Sequence, residues 1–166
     1  VQSWGNLCAG QLMVAVPFAL MNGIMMHNNY LLLALFVLIW VNDSGAYIVG
    51  SLTAKLPKGN HKMFPRVSPA KSWEGLVGGI LFSLLAGYIF FRVGWTAEMG
   101  LLNSLLFACA GSIFGTLGDL MESLFKRTLG VKDSGKFMPG HGGVLDRFDS
   151  ILLATPIIAA FVMMFL

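Results

Sequence analysis

Residues Ser123–Asp149 read SLFKRTLGVKDSGKFMPGHGGVLDRFD. The stretch opens as the last turn of an apolar segment, passes through about twenty residues rich in Gly, Pro, Lys and Asp, and ends on Asp146 and Asp149. Another apolar run follows at once. Long loops without regular structure of their own are uncommon and are usually functional or disordered. A loop clamped between two apolar segments of membrane grade has little reason for disorder, so chemistry is expected here. The segments that clamp it decide the fold.

Of the 166 residues, 56% are hydrophobic and only 11% are charged, and the mean hydropathy is +0.74. Soluble domains carry about 25% charged residues. This chain has more apolar surface than one water-soluble core of its length could hide, so lipid is the expected solvent. It starts at Val1 with no basic n-region or small-residue cleavage site, so Leu7 onward does not read as a signal peptide. The chain is expected to be the later part of a longer protein. Cys8 and Cys109 sit in apolar runs without CxxC or Cys/His spacing and read as structural thiols.

A helix needs about 20 predominantly apolar residues to span the hydrocarbon core. Five segments qualify or nearly do: Leu7 to Met26, which contains Pro17; Leu31 to Gly50; Gly75 to Val93; Gly100 to Phe125; and Ser150 to Leu166. Membrane helices tolerate such a proline better than soluble ones. No internal repeat or linker divides the chain. The expected fold is therefore all-α, one polytopic membrane helical domain over residues 1–166 with about five transmembrane helices. Gly75, Gly78 and Gly79 in the third segment, and Gly111, Gly115 and Gly118 in the fourth, predict close helix packing, since small residues let backbones approach in lipid.

If the five spans alternate, the loops Ser51–Glu74 and Lys126–Asp149 lie on one side. They hold Lys55, Lys58, Lys62, Arg66, Lys71, Lys126, Arg127, Lys132, Lys136 and Arg147, ten of the eleven Lys and Arg, leaving only Arg92 toward the other face. Lys and Arg in short loops mark the cytoplasmic side, so both basic loops are expected to face the cytoplasm.

Ionisable groups in membrane segments are costly and are functional candidates by default. Asp43 lies toward the cytoplasmic end of the second span, and Asp119 and Glu122 close the fourth. Helical spacing puts Asp119, Glu122 or Ser123, and Lys126 on one face. Salt bridges between topology anchors would explain single pairs but not the whole set. Carboxylates would repel a polyphosphate, since two unit charges 4 Å apart interact by about 4 kcal/mol at an effective dielectric near 20. A divalent cation reverses that sign, and Mg²⁺ is usually held by one or two carboxylates plus substrate phosphates. Asp119, Asp146 and Asp149 suit such a metal role. Gly135, Gly140, Gly142 and Gly143 allow backbone N–H groups to approach phosphate oxygens, and His141 is either a phosphate donor or a turn-stabilising residue. No Walker A, GxGxxG, Ser-His-Asp or Cys-His arrangement occurs, so covalent catalysis is not indicated.

The pattern S-x-x-K-R-x4-K-D-x-G-x3-P-x-H-G-G-x2-D-R-x-D over Ser123–Asp149 resembles the signature of the phosphatidate cytidylyltransferases, the CDP-diacylglycerol synthases. NDSGAYIVG at Asn42–Gly50 and SPAKSWEGLVGG at Ser68–Gly79 resemble the same family. Met138 and Ala70 depart from it, standing where a smaller aliphatic residue and a Lys are expected. The resemblance implies transfer of CMP from CTP to phosphatidic acid, giving CDP-diacylglycerol and pyrophosphate, with Mg²⁺ and with a second, monovalent cation left open. It implies metal ligation by Asp119, Asp146 and Asp149, and phosphate binding by Lys126, Arg127, Lys132 and Arg147, with Ser123, His141, Gly142 and Gly143 also on substrate. Ser68, Lys71 and Glu74, with Asn42 and Asp43, would form the opposing wall. It further implies a bacterial inner-membrane enzyme with its site facing the cytoplasm and no nucleic-acid partner. Oligomeric state, a homodimer included, is left open.

Three other readings compete. One is a related CTP-dependent membrane transferase, such as a polyprenol or phytol kinase or an archaeal-type lipid cytidylyltransferase, of which less of the loop is expected to match. Another is an ion-coupled transporter using Asp43 and Asp119, which sets its ionisable groups at one face rather than at the midplane that transport sites occupy. The third, a purely structural subunit, gives the HGG–Asp loop no purpose.

Overall fold

In the computed structural model the described residues are 2–57, 59–128, 130, 131, 146 and 148–165. Five α-helices and one small hairpin account for them: α1 (Gln2–His27), α2 (Asn29–Ala54), β1 (Lys62–Phe64), β2 (Ser68–Ser72), α3 (Trp73–Arg92), α4 (Gly100–Thr128) and α5 (Asp149–Phe165). A single 3₁₀ turn, Ala97–Met99, leads into α4. The all-α expectation holds for the bulk of the chain. Within α1–α4, four stretches are long and apolar enough to cross a membrane, whereas α5 is shorter at 17 residues.

Local chemistry sets the helix boundaries. Asn28, extended at φ −155°, caps α2 by accepting a hydrogen bond from the Tyr30 backbone N–H at 2.9 Å, so α1 reverses into α2 across a single residue. Ser72 caps α3 in the same manner, its Oγ accepting from the Gly75 N–H at 3.1 Å. Each such cap stabilises by about 1 kcal/mol. Pro17 lies within α1 and Pro156 within α5 without ending either helix.

The loop between α2 and α3 folds into an antiparallel hairpin, with Lys62 opposite Ser72 and Phe64 opposite Ser68. Its base is tied to α3: the Trp73 N–H donates to the His61 carbonyl at 3.0 Å. Glu74 accepts from the His61 backbone N–H at 3.0 Å, and the His61 Nδ1 lies 2.6 Å from the same carboxylate.

Helix α2 runs through the centre of the bundle. Leu31, Leu35 and Leu38 of α2, Phe107 of α4 and Ile158 of α5 are fully buried, and α1 closes the core with Met21 and Ile24. Lipid tails are as apolar as leucine, so association within a bilayer rests on close packing rather than on water exclusion. The expected glycines supply that packing. A Cβ at Gly78 would run into the Val49 side chain, and one at Gly118 would meet the Asp149 carbonyl at 2.7 Å. The outer surface is apolar: Met26 is 82% exposed, Trp40 69% and Met164 77%. Such a surface suits lipid better than water. Cys109 is a free thiol on α4, while the Cys8 side chain lies outside what is described.

Candidate functional site

Polar side chains collect at the end of the bundle where α2 meets the hairpin and where α4 and α5 meet. Asp119, on α4, pairs through Oδ2 with Lys71 Nζ of β2 at 2.8 Å, and its Oδ1 accepts from Ser123 Oγ at 3.3 Å. Lys71 also donates to the Thr116 carbonyl at 2.9 Å. One turn along α4 from Asp119, Glu122 lies 2.6 Å from Lys126, which pairs with Asp146 at 2.8 Å. Asp149 opens α5, where the helix dipole favours negative charge, and its Oδ1 accepts from the Ser150 N–H at 2.6 Å.

Two clefts meet along Asp43 and Asp119. The first, of about 250 Å³, lies between α2, β2, α3 and α4; Lys71, Thr116 and Tyr47 are on its walls. The second, of about 330 Å³, lies between α2, α4 and α5; Asp146, Asp149, Trp40 and Phe36 are on its walls. The seam between α4 and α5 places the second cleft's carboxylates: Gly118 lets the Asp149–Ser150 backbone lie directly against α4.

Oxygens of Asp119, Glu122 and Asp149 lie within 4.8 Å of one another. Glu122 Oε1 is buried with no hydrogen-bond partner among the described residues. Among the described residues, five carboxylates (Asp43, Asp119, Glu122, Asp146 and Asp149) thus gather around two lysines, Lys71 and Lys126. Carboxylates so close repel strongly unless cations intervene, and an all-oxygen donor set suits a hard divalent ion such as Mg²⁺. The residues therefore fit a metal of that class.

Of the residues singled out in the sequence, Asp43, Lys71, Asp119, Ser123, Lys126, Asp146 and Asp149 come together here. Asn42 borders the first cleft but is only 2% exposed. Ser68 sits at the start of β2 and Glu74 is engaged with His61; neither lines a cleft. Arg127 is exposed near the end of α4. Lys132, His141, Gly142, Gly143 and Arg147 lie outside the described residues. Among carboxylates, the aspartate trio of the sequence reading is joined by Glu122, which takes the place beside Asp119 and Asp149, while Asp146 faces Lys126. Its position three residues after Asp119 was the available signal. Thr116 and Ser112 gave none, since each looks like an ordinary small residue of an apolar helix.

Comparison with known proteins places the sequence among named relatives. A 138-residue stretch is 43% identical to the phosphatidate cytidylyltransferase of Haemophilus influenzae, covering 81% of this chain and 46% of that protein. Over 131 residues the chain is 47% identical to the phosphatidate cytidylyltransferase of Staphylococcus haemolyticus, covering 78% of this chain and 47% of that one. The Staphylococcus aureus protein of the same name is 42% identical over 131 residues. The chain thus spans about half the length of the curated relatives it matches. The model for the cytidylyltransferase family matches residues 3–165, nearly the whole chain, and the chain belongs to that family.

Proposed function

We propose that this chain forms the catalytic part of a phosphatidate cytidylyltransferase, an integral membrane enzyme that transfers CMP from CTP to phosphatidic acid. A phosphate oxygen of the lipid bonds to the α-phosphorus of CTP as the α–β phosphoanhydride bond breaks, giving CDP-diacylglycerol and releasing pyrophosphate. The observation that carries this reading is the carboxylate trio Asp119, Glu122 and Asp149 beside two lysines, at one end of an apolar bundle. An anionic nucleophile meets an anionic nucleotide, so catalysis must come from positioning and charge neutralisation.

Asp119, Glu122 and Asp149, with Asp146 and Asp43 alongside, are the residues that would hold Mg²⁺. When bound, the ion offsets phosphate charge and stabilises attacking and leaving oxygens. Lys71 is the cation of the first cleft, set to orient a phosphate beside Asp119. Lys126 holds Glu122 and Asp146 in place and draws the phosphate-bearing substrate toward the second. The basic loops at this end support a cytoplasm-facing site in a bacterial inner membrane.

The test is CTP-dependent conversion of phosphatidic acid to CDP-diacylglycerol by the full-length protein in detergent, with and without Mg²⁺. Polyprenyl phosphates serve as competing acceptors. Mg²⁺-dependent product from phosphatidic acid is expected. Product from the prenyl acceptors alone would move the chain to a related transferase, and no product with either acceptor would overturn the reading.

A further inference from the structure

Asn42 stands apart from the other polar residues of the site because both ends of its buried amide are engaged by protein groups. Its Oδ1 accepts from Ser112 Oγ. Its Nδ2 donates to Thr116 Oγ1 at 3.2 Å and, more weakly, to Asp43 Oδ1 at 3.5 Å. The residue is 2% exposed. A Cβ at Gly79 would come within 2.5 Å of Asn42 Oδ1, so the glycine on α3 leaves the space that the amide fills. One side chain on α2 is thereby bonded to α4 at two successive turns and wedged against α3.

The groups it holds are those that face substrate. Thr116, whose hydroxyl accepts from Asn42, presents its carbonyl to Lys71. Lys71 is paired in turn with Asp119. Asp43, which follows Asn42 in the chain, borders both clefts. A buried amide with all its donors used fixes a geometry, because each broken bond would leave an unsatisfied polar group away from water.

We propose that Asn42 is a positioning residue and not part of the substrate-binding wall: through Thr116 it sets Lys71 and Asp119, and directly it sets Asp43. This rests on the cytidylyl-transfer reading for its kinetic arm only. Partners that orient metal ligands typically cost about 10–100-fold in affinity or activity when removed.

The experiment uses the full-length protein in detergent and compares Asn42→Ala, Thr116→Val, their double variant and Thr116→Ser. Kinetics with CTP and phosphatidic acid are measured beside Mn²⁺ binding and thermal unfolding. Asn42→Ala and Thr116→Val are each expected to lower kcat by about 10–100-fold and to weaken Mn²⁺ binding, with both KM values held within about threefold. The double variant should fall no further than the worse single one, and Thr116→Ser, which keeps the hydroxyl, should restore most of the loss.

A tenfold rise in either KM with kcat unchanged would make Asn42 a direct ligand and overturn the proposal. Additive losses, or Thr116→Ser no better than Thr116→Val, would overturn it as well. Should Asn42→Ala fail to fold, the two Thr116 variants still decide. If wild type turns over no phosphatidic acid, the functional reading fails by itself, and Mn²⁺ binding across the same variants still tests the positioning role.

Discussion

The two ends of this bundle satisfy their polar groups in opposite ways. At the end near Arg92, the polar groups are spent largely on backbone. Ser104 Oγ, fully buried, lies 2.9 Å from the Gly100 carbonyl and 2.7 Å from Thr96 Oγ1. Asn103 donates to the Met99 carbonyl at 2.9 Å, and Trp95 stacks against both Phe90 and Tyr30. At the Asp119 end, side chains are aimed at one another, and among the described residues Lys71 pairs with Asp119 while Lys126 pairs with both Glu122 and Asp146. The first arrangement closes a helix connection and needs no further partner. The second is stable only while cations stay among the carboxylates, a property useful for binding charged ligands and poor for simple packing.

Substitutions at both ends can break or sharpen that contrast. The largest effect is expected from Asp119→Asn, which removes a carboxylate shared by both clefts and the ion-pair partner of Lys71; turnover should fall by at least about 100-fold. Near-normal activity would place the metal elsewhere and erase the distinction between the ends. Gly118→Ala comes next. Its new Cβ would press on the Asp149 carbonyl, and overpacking of this kind costs about 1–3 kcal/mol. Thermal unfolding should shift down and activity should drop with it, because the displaced backbone carries a site carboxylate.

At the far end, Ser104→Ala should cost about 1 kcal/mol of stability while leaving turnover per folded molecule unchanged. A catalytic defect there would show that the two ends are coupled. Arg92→Ala should do least. Its guanidinium is 3.0 Å from the Tyr88 hydroxyl and 5.9 Å from that ring, both on an exposed surface, and such contacts are worth about 0.5 kcal/mol.

The hydrophobic segments made the helices legible, because a run of about twenty apolar residues has few other uses. Their ends were less so: α2 and α4 extend past the apolar stretch into polar residues that continue the helix. The hairpin was not visible. Its strands are three and five residues long, and Pro69 within SPAKS argues against a strand by local preference. Asp119 and Asp149 were singled out from residue type and topology, and Lys71 from the resemblance of SPAKSWEGLVGG to the family. The role of Asn42 was not anticipated, because its partners Ser112 and Thr116 lie 70 and 74 positions away. Spacing within one helix reveals a face; it does not reveal which face of another helix will meet it.

The junction between hairpin and α3 has a consequence for how the chain tolerates change in length. Lys71 is followed at once by Ser72, which is both the last residue of β2 and the cap of α3. Nothing between the lysine and the helix can absorb slack. One residue inserted after Lys71 would turn the lysine to the opposite face of its strand or rotate α3 by about 100° relative to it. The strand therefore works as a crank fixed to the helix axle, and insertions or deletions between residues 71 and 73 are the length changes this part of the chain is least able to accommodate.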